Sequence, residues 1–290
     1  MTGNQESGSS LNSLIRTRRP AGRLTADPPP APGSAPGRNT AVPGTGTSLL
    51  EGLLPDVTVV ELFADPPDAH LYPEEAGLVA RAVGKRRSEF ATVRLCARTA
   101  LAGLGVAPGP ILRGPGGAPV WPEGIVGSMT HCDGYRAAAV ARNTAVASVG
   151  IDAEPHAPLP AGIEKLVALP EERRVLDRLT RSHPAVHWDR LLFSAKESTY
   201  KTWFPLTGLW LDFGDCVIIP DPENGTFDCS LNVPGPVVGG RRIDGFTGQW
   251  RTVTRDGASF VATAITVPAP GIPRPAASGR HAATPPGPAR

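Results

Sequence analysis

The sequence from residue 191 to residue 201 reads Leu-Leu-Phe-Ser-Ala-Lys-Glu-Ser-Thr-Tyr-Lys and has the pattern of a helix. At about 3.6 residues per turn, Phe193, Lys196, Glu197, Tyr200 and Lys201 fall on neighbouring rows of one helix face. This mixture of cations, a carboxylate and aromatic rings is unusual for a packed core. Two interpretations are open at this point: a solvated helix face, or a face that lines a cleft.

The apolar residues around this stretch favour the cleft, because they occupy nearly every side of the helix. A lysine that faces a cleft can neutralise a phosphate as a point charge. A glutamate beside a metal can accept a proton from an incoming hydroxyl. The apolar residues are Leu191, Leu192, Phe193, Trp203 and Phe204.

A second acidic element, Val-Gly-Ile-Asp-Ala-Glu-Pro at residues 149–155, lies about forty residues upstream. Asp152 and Glu154 are two apart on a predicted strand and point to the same side of it, where two carboxylates repel unless a positive charge lies between them. Carboxylates without His or Cys suit a hard ion such as Mg²⁺. A solvated strand edge is the alternative, but the apolar Ile151 and the strand-ending Pro155 favour a metal-assisted phosphate site.

Candidate phosphate donors lie further upstream. Residues 127–131, Gly-Ser-Met-Thr-His, are interpreted as a glycine-led loop before a strand, where two hydroxyls and an imidazole can donate to a phosphate. For the histidine, and for the arginines, a structural or solvated role is the open alternative. The sequence lacks GxxxxGK[ST] and GxGxxG motifs, which disfavours P-loop and Rossmann nucleotide binding. The arginines are Arg86, Arg87, Arg94 and Arg98 on a long predicted helix and Arg113 in a Gly-rich loop.

The charge of this chain is unevenly distributed. Residues 1–49 and 268–290 each carry a net charge of +3, so the overall charge of +2 leaves residues 50–267 at −4. An acidic folded segment argues against a nucleic-acid-binding domain. The two ends also hold 14 of the 33 prolines, which predicts disordered tails around the folded segment.

The order of predicted elements favours an α+β fold, because helices mix with antiparallel-looking strands. A helical pattern runs from Pro73 to Leu104 with a break near Gly84, and a loop follows at 103–117. Two further helices are predicted at 170–179 and 187–204, the second ended by Pro205. Strands are predicted at 57–63, 135–140, 147–151, 216–219, 248–254 and 259–267.

The remaining composition indicates a cytoplasmic protein. The N-terminal residues contain no apolar signal-peptide region, and the sequence has no run of eighteen apolar residues that would predict a membrane span. The four cysteines form no CxxC pair, so buried free thiols in a reducing compartment are expected. They are Cys96, Cys132, Cys216 and Cys229.

The two acidic elements together resemble the signature motifs of Sfp-type 4′-phosphopantetheinyl transferases. In that family V-G-[IV]-D-x-E precedes, by about forty residues, a helix with F-x-x-K-E-[SA]-x-[YF]-K. Residues 149–154 and 193–201 match this pattern in order and spacing. Residues 85–94 and 127–132 also resemble the branch of enterobactin synthase component D, particularly its actinobacterial members. The resemblance spans residues 50–267 and leaves out both tails.

The resemblance implies two similar halves, 50–150 and 151–267, that form an intramolecular pseudo-dimer with the active site between them. It implies transfer of phosphopantetheine from coenzyme A to a serine of an acyl or peptidyl carrier protein, with release of adenosine 3′,5′-bisphosphate. A monomer that binds neither nucleic acid nor membrane is expected. The open alternatives are a Mg²⁺-dependent hydrolase of coenzyme A or another pyrophosphate, and a non-catalytic paralogue that binds coenzyme A.

The resemblance also implies roles for individual residues. Asp152, Glu154 and Glu197 would hold Mg²⁺, with Glu197 as the base and Lys196 on the departing phosphate. Arg113 stands where relatives commonly have lysine. The implied coenzyme A site consists of Arg86, Arg94, Arg113, Ser128, Thr130, His131, Asp152 and Lys196 around the phosphates, with Phe193, Tyr200 and Trp210 along the pantetheine channel.

Overall fold

A computed structural model describes residues 48–271 of the chain. Helices and antiparallel strands mix along it, which confirms the α+β class. The helices are α1 (Pro73–Ala76), α2 (Gly84–Gly103), α3 (Glu164–Val167), α4 (Pro170–Ser182) and α5 (Trp188–Thr207). The strands are β1 (Thr58–Leu62), β2 (Ile125–Cys132), β3 (Tyr135–Arg142), β4 (Val146–Pro155), β5 (Cys216–Asp221), β6 (Thr226–Leu231), β7 (Val237–Val238), β8 (Arg241–Arg242), β9 (Gly245–Arg255) and β10 (Ala258–Pro268).

The larger strands form two antiparallel sheets, and each carries one 20-residue helix. The smaller sheet has the order β1-β3-β2 and packs against α2. The larger sheet has the order β4-β10-β9-β6-β5, and α5 packs across β4 and β10. Strands β7 and β8 form a separate short hairpin.

Strand β4 lies across the predicted division between the two halves. It pairs with β10 from Val146 to Pro155, so a boundary between residues 150 and 151 falls inside one strand of the larger sheet. Side chains rather than a backbone ladder join this strand to its neighbour β2. The hydroxyl of Ser128 accepts from the backbone N–H of Ile151 at 3.1 Å, and the hydroxyl of Thr130 accepts from that of Ala153 at 3.1 Å.

Some predicted elements differ from the structure. Residues 127–131 belong to strand β2 rather than to a loop, because they pair along β3. Helix α5 continues past Pro205 to Thr207 and ends where Gly208 adopts a left-handed φ of 65°. Proline is tolerated there because only the last turn follows it. Strand β6 was not predicted, since Thr226–Leu231 alternates apolar and polar residues only briefly. The predicted disorder of the tails lies, apart from a few residues, outside the described part of the chain.

Gly150 allows α5 to lie directly against β4. A Cβ atom built on this glycine would lie 2.2 Å from the carbonyl oxygen of Ser198 and 2.2 Å from Oγ1 of Thr202. The same contact is reinforced by Ser148, whose hydroxyl donates to the carbonyl of Thr202 at 2.8 Å. The glycine of the first motif is therefore required by helix-to-strand packing.

The fold begins before the predicted boundary at residue 50. Leu49 and Leu50 are fully buried, and their backbone N–H groups donate to the two carboxylate oxygens of Glu61 at 2.9 and 3.1 Å. Tyr135 donates its hydroxyl to the same carboxylate at 2.5 Å. Arg251 on β9 donates to the carbonyl of Ser48 at 3.1 Å. The segment at 48–50 is therefore part of the core rather than of a tail.

Substituting Gly150→Ala should destabilise the protein by about 1–3 kcal/mol, because the helix backbone at Ser198 cannot give way to a methyl group without shifting α5. Urea unfolding measures this change. Gly109→Ala is the control, since a Cβ there meets nothing within 4 Å. Equal stability of the two variants would contradict the close packing of α5 on β4.

Removing residues 1–47 should leave the stability unchanged, whereas removing residues 1–51 should cost about 3–6 kcal/mol. The shorter form loses two fully buried leucines, each contributing about 1.5–3 kcal/mol, and leaves the carboxylate of Glu61 without two donors. Denaturant unfolding of the two truncated forms tests this expectation. Identical midpoints would show that Leu49 and Leu50 contribute nothing to the core.

Candidate functional site

The face of α5 that the sequence singled out divides into two rows. Glu197 and Lys201 are one turn apart and lie toward β4. Phe193, Lys196 and Tyr200 lie toward the core of the larger sheet, where Phe193 packs on Phe213 with ring centroids 6.0 Å apart. Adjacent residues of a helix are about 100° apart around its axis. The adjacent residues Lys196 and Glu197 are thereby separated.

Asp152 is the centre of the row that faces β4. It is 5% exposed, and its Oδ1 accepts from Nζ of Lys201 at 2.7 Å and from the hydroxyl of Thr130 at 3.3 Å. Its Oδ2 is buried and accepts no hydrogen bond from any described residue. Lys201 also donates to the carbonyl of Ile151 at 3.1 Å. A buried carboxylate oxygen without a donor is suited to a cation.

Glu154 lies beside Asp152 on the same strand face. Burial raises the pKa of Glu154, the charges of Asp152 and Glu197 raise it further, and Arg190 opposes them. Arg190 Nη1 donates to Glu154 Oε2 at 2.9 Å. Asp152, Glu154 and Glu197 are here called the carboxylate site, because the charges of the other two act on Glu154. Bringing them together costs free energy that a cation would offset.

The fit to a metal ion is partial. Within residues 48–271, no group of three or more His, Cys, Asp or Glu side chains is arranged so that it could hold a metal ion by itself. The open Oδ2 of Asp152 and the crowded carboxylate of Glu154 are compatible with Mg²⁺, which commonly takes only one or two carboxylates and completes its shell with waters and phosphate oxygens. The residues present therefore fit a metal that shares its coordination with a phosphate ligand.

Lys196 does not face the carboxylate site. Its Nζ is 2.8 Å from Oε2 of the fully buried Glu172 on α4 and donates to the carbonyls of Phe213 and Cys216 at 2.6 and 3.1 Å. The Lys196 side chain is 1% exposed. With three partners in the core, this ammonium joins α4, α5 and β5. The geometry does not support its assignment to a departing phosphate.

The three predicted channel residues differ in burial; they are Phe193, Tyr200 and Trp210. Phe193 is fully enclosed in the core of the larger sheet. Tyr200 is half-buried between Phe204, at a centroid distance of 5.8 Å, and Trp210, at 4.7 Å. Trp210 itself is 42% exposed. Tyr200 and Trp210 can therefore line a channel, whereas Phe193 supports their helix from behind.

Positive charges gather around His131 at the end of β2. Burial, followed by the charges of Arg86, Lys201, Arg136 and Arg113, lowers the pKa of His131 well below 6.5. Its Nε2 lies next to Nη1 of Arg86, so protonation of the ring would place two positive charges side by side. These four cations around His131, here called the basic cluster, suit a ligand with several phosphate charges. The histidine would contribute a hydrogen bond to such a ligand, not a charge.

Glu89 provides the counter-charge within this region. Its carboxylate lies 3.5 Å from Arg86, 3.5 Å from Arg136 and 3.8 Å from His131. Arg136 is also paired with Asp65 at 2.8 Å and is 4% exposed, so it supports the cluster from the interior. Neither Glu89 nor Arg136 was predicted from the sequence, because nothing in a single sequence shows that α2 and β3 meet at His131.

Arg94 is buried more deeply than a residue that contacts a phosphate ligand would need to be. It is 3% exposed, donates to the carbonyl of Ile111 at 3.2 Å and lies 3.5 Å from the buried Glu75. Burial lowers the pKa of Arg94 to about 10, against the opposing effect of Glu75. Glu75 also accepts from Arg98 at 3.1 Å and from the N–H of Ile111 at 2.8 Å. Arg94 therefore fixes the segment that leads to Arg113.

Ser128 and Thr130 are both 3% exposed and already join β2 to β4. Thr130 donates to Asp152 and accepts from β4, so its hydroxyl is committed to positioning the carboxylate site. Arg113 forms a β-bridge with Pro119 across a short turn at Pro115–Gly117. That turn rests on α5, because a Cβ on Gly116 would lie 2.5 Å from the ring of Phe204. The predicted phosphate residues thus divide into cations around His131 and hydroxyls that orient the strand beside it.

A cluster of cations next to interacting carboxylates is an arrangement that can bind a phosphate ester whose reaction a metal could assist. Comparison with known families agrees with this class. Residues 74–141 match the family model of the 4′-phosphopantetheinyl transferase N-terminal domain, and residues 148–231 match that of the 4′-phosphopantetheinyl transferase superfamily. The chain belongs to the 4′-phosphopantetheinyl transferase superfamily.

Individual relatives place the chain within this family. It is 58% identical to the 4′-phosphopantetheinyl transferase Svp of Streptomyces mobaraensis over 226 residues, covering 77% of this chain and 90% of that protein. It is 49% identical to the transferase PptT of Mycobacterium tuberculosis over 212 residues, or 70% and 92% of the two chains. Enterobactin synthase component D of Salmonella typhi is more distant, with 32% identity over 121 residues, or 41% and 49%. The predicted family and its actinobacterial branch are confirmed.

The described residues contain no helix that is long and apolar enough to cross a membrane. The four cysteines are free thiols, as predicted, and three of them are buried.

The lowered pKa of His131 predicts a pH dependence of stability. As the pH falls below about 6.5, the unfolded chain takes up a proton that the folded protein does not bind, so the wild type should lose up to about 1.4 kcal/mol per pH unit from this group. His131→Gln removes that loss, which is absent above about pH 6.5 and grows as the pH falls below it. Denaturant unfolding of both proteins between about pH 7.5 and 5.5 measures it. Parallel stability curves would contradict a lowered pKa of His131 in the folded protein.

Proposed function

We propose that this chain transfers the 4′-phosphopantetheine arm of coenzyme A to a serine of apo acyl or peptidyl carrier proteins, in a Mg²⁺-dependent reaction that releases adenosine 3′,5′-bisphosphate. The observation that carries the proposal is the position of Lys201. It contacts Asp152 of the carboxylate site and belongs to the basic cluster around His131, so the two regions meet at one side chain. A ligand with several phosphates, such as coenzyme A, matches that arrangement.

The residues of the chain divide the work of the reaction. Arg86, Arg113 and the His131 ring bind the phosphates and hold the nucleotide for in-line attack, and such positioning is worth up to about 7–11 kcal/mol. Lys201 stabilises the charge on the departing phosphate. Glu197 accepts the proton of the serine hydroxyl. A Mg²⁺ ion held by the carboxylate site would supply further charge stabilisation.

In the proposed step, the serine oxygen bonds to the phosphorus that carries pantetheine and the pyrophosphate P–O bond breaks. The electron pair of that bond leaves with adenosine 3′,5′-bisphosphate. The half-buried Tyr200 lies on the neighbouring row of α5, and the exposed Trp210 lies in the loop that follows the helix. Both can contact the pantetheine arm there. Fatty-acid, polyketide and non-ribosomal-peptide carriers all present such a serine.

The test is incubation of the protein with coenzyme A, Mg²⁺ and an apo carrier protein. Mass spectrometry should show the carrier gaining one phosphopantetheine. Glu197→Gln should lower the rate by about 100-fold or more, as expected for loss of a general base. Glu223→Gln is the control, because the Glu223 side chain is 81% exposed in the turn between β5 and β6. Release of adenosine 3′,5′-bisphosphate without carrier modification would instead identify a hydrolase, and neither product would identify a binding paralogue.

Matched substitutions of Lys196 and Lys201 distinguish the roles of the two rows of α5. Lys201→Met should reduce turnover by about 100-fold or more through the lost phosphate contact. Lys196→Met should act mainly on folding, by about 3–5 kcal/mol, because it leaves the buried Glu172 without its counter-charge. Labelling rates per folded molecule and urea unfolding measure both effects. A larger loss of turnover in Lys196→Met than in Lys201→Met would contradict these roles.

A further inference from the structure

Arg190 lies in the first turn of α5, upstream of the recognised helix motif. Its guanidinium makes three hydrogen bonds, and it is 8% exposed. Nη1 donates to Oε2 of Glu154 at 2.9 Å, Nε donates to the carbonyl of Ala157 at 3.0 Å, and Nη2 donates to the carbonyl of Pro158 at 2.9 Å. One side chain thus joins a carboxylate of the site to the segment that leaves β4.

The neighbouring residue reinforces this connection. Asp189 Oδ2 accepts from the N–H of Leu159 at 2.7 Å. The first turn of α5 therefore binds the backbone at three successive residues after the end of β4, which fixes where the strand ends. Because Glu154 is the penultimate residue of β4, its backbone and its carboxylate are both positioned from this turn.

Helix α5 supplies a separate cation to each acidic residue of β4. Arg190, Glu197 and Lys201 are seven and four residues apart, so they follow one row of the helix. Lys201 pairs with Asp152 at 2.7 Å, and Arg190 pairs with Glu154 at 2.9 Å. The two pairs differ in exposure. The Lys201 side chain is 27% exposed, whereas that of Arg190 is 10% exposed and has carbonyl partners on its other nitrogens.

These differences distinguish the two cations. Lys201 has an open side from which it can contact a phosphate, while every nitrogen of Arg190 is engaged with the protein. A guanidinium held by two carbonyls has a fixed orientation, and it transmits that orientation to the carboxylate it binds. Such partners of metal-binding carboxylates commonly set metal affinity.

We propose that Arg190 is a positioning residue for the carboxylate site: by holding Glu154 against the first turn of α5, it sets the orientation in which Glu154 takes part in binding a divalent cation. This inference rests on the proposed function. It assigns to Arg190 no contact with coenzyme A or with the reacting atoms. The residue acts through Glu154 alone.

Mn²⁺ binding to the full-length protein tests the proposal, with free Mn²⁺ measured by electron paramagnetic resonance at saturating coenzyme A. Arg190→Gln should weaken Mn²⁺ binding by about 10–100-fold. Arg190→Lys should restore part of it, because the charge stays while the planar bonds to two carbonyls are lost. The control is Arg98→Gln, another buried arginine that pairs with a carboxylate, Glu75, at 3.1 Å and donates to the carbonyl of His70 at 2.6 Å.

Both glutamine variants should unfold at lower temperature than the wild type, and the Mn²⁺ affinity separates them. Arg98→Gln should keep the wild-type affinity. An unchanged or tighter Mn²⁺ affinity in a folded Arg190→Gln protein would overturn the proposal and leave Arg190 a purely structural role. If Arg190→Gln does not fold, Arg190→Lys carries the test, and wild-type affinity in that variant would overturn the proposal. Absence of Mn²⁺ binding by the wild type would instead reject the metal dependence of the proposed function.

Discussion

The close packing of α5 on β4 is the constraint on which the site depends. Gly150 lets the helix backbone approach the strand, and only at that separation can side chains of α5 reach Asp152 and Glu154. The two pairs formed there, with Lys201 and with Arg190, keep acidic groups buried that would otherwise repel one another. Along the helix, Glu197 lies between the positions of these two cations. Structure and chemistry therefore depend on one glycine in the first motif.

Positive charges are concentrated at the site although the folded part of the chain has a negative net charge. Residues 50–267 carry a net charge of −4, yet Arg86, Arg113, Arg136 and Lys201 surround His131. Such a local concentration can attract a phosphorylated ligand even though the folded part is acidic. Glu89 pairs with Arg86 and Asp65 pairs with Arg136, which offsets part of the repulsion among the cations of the basic cluster.

The sequence was sufficient for the fold class, the main helices and strands, the family and the acidic pair, because these follow from local periodicity and from two spaced motifs. It was not sufficient to predict which side of a helix each motif residue faces. Lys196 and Glu197 are adjacent in sequence and share a motif, but about 100° of rotation places one against Glu172 and the other toward β4. Ser128 and Thr130 were predicted to donate to a phosphate, but in the structure they accept from backbone N–H groups of β4. A hydroxyl can bind either partner, so the sequence alone does not distinguish the two roles.

The contacts that were not predicted share one physical property: their partners are distant in sequence. Arg190 acts on a carboxylate 36 positions away, and Arg98 pairs with Glu75 across 23 positions. Arginine in a helix is usually solvated, and nothing in its own neighbourhood distinguishes a buried one. One signal is present in the sequence, however. Arg190 stands on the row of Glu197 and Lys201, and a second cation on a row that faces two strand carboxylates is the expected way to balance them. Because both acidic residues of the motif need a counter-charge, the spacing along this row points to Arg190 as the partner of the second one.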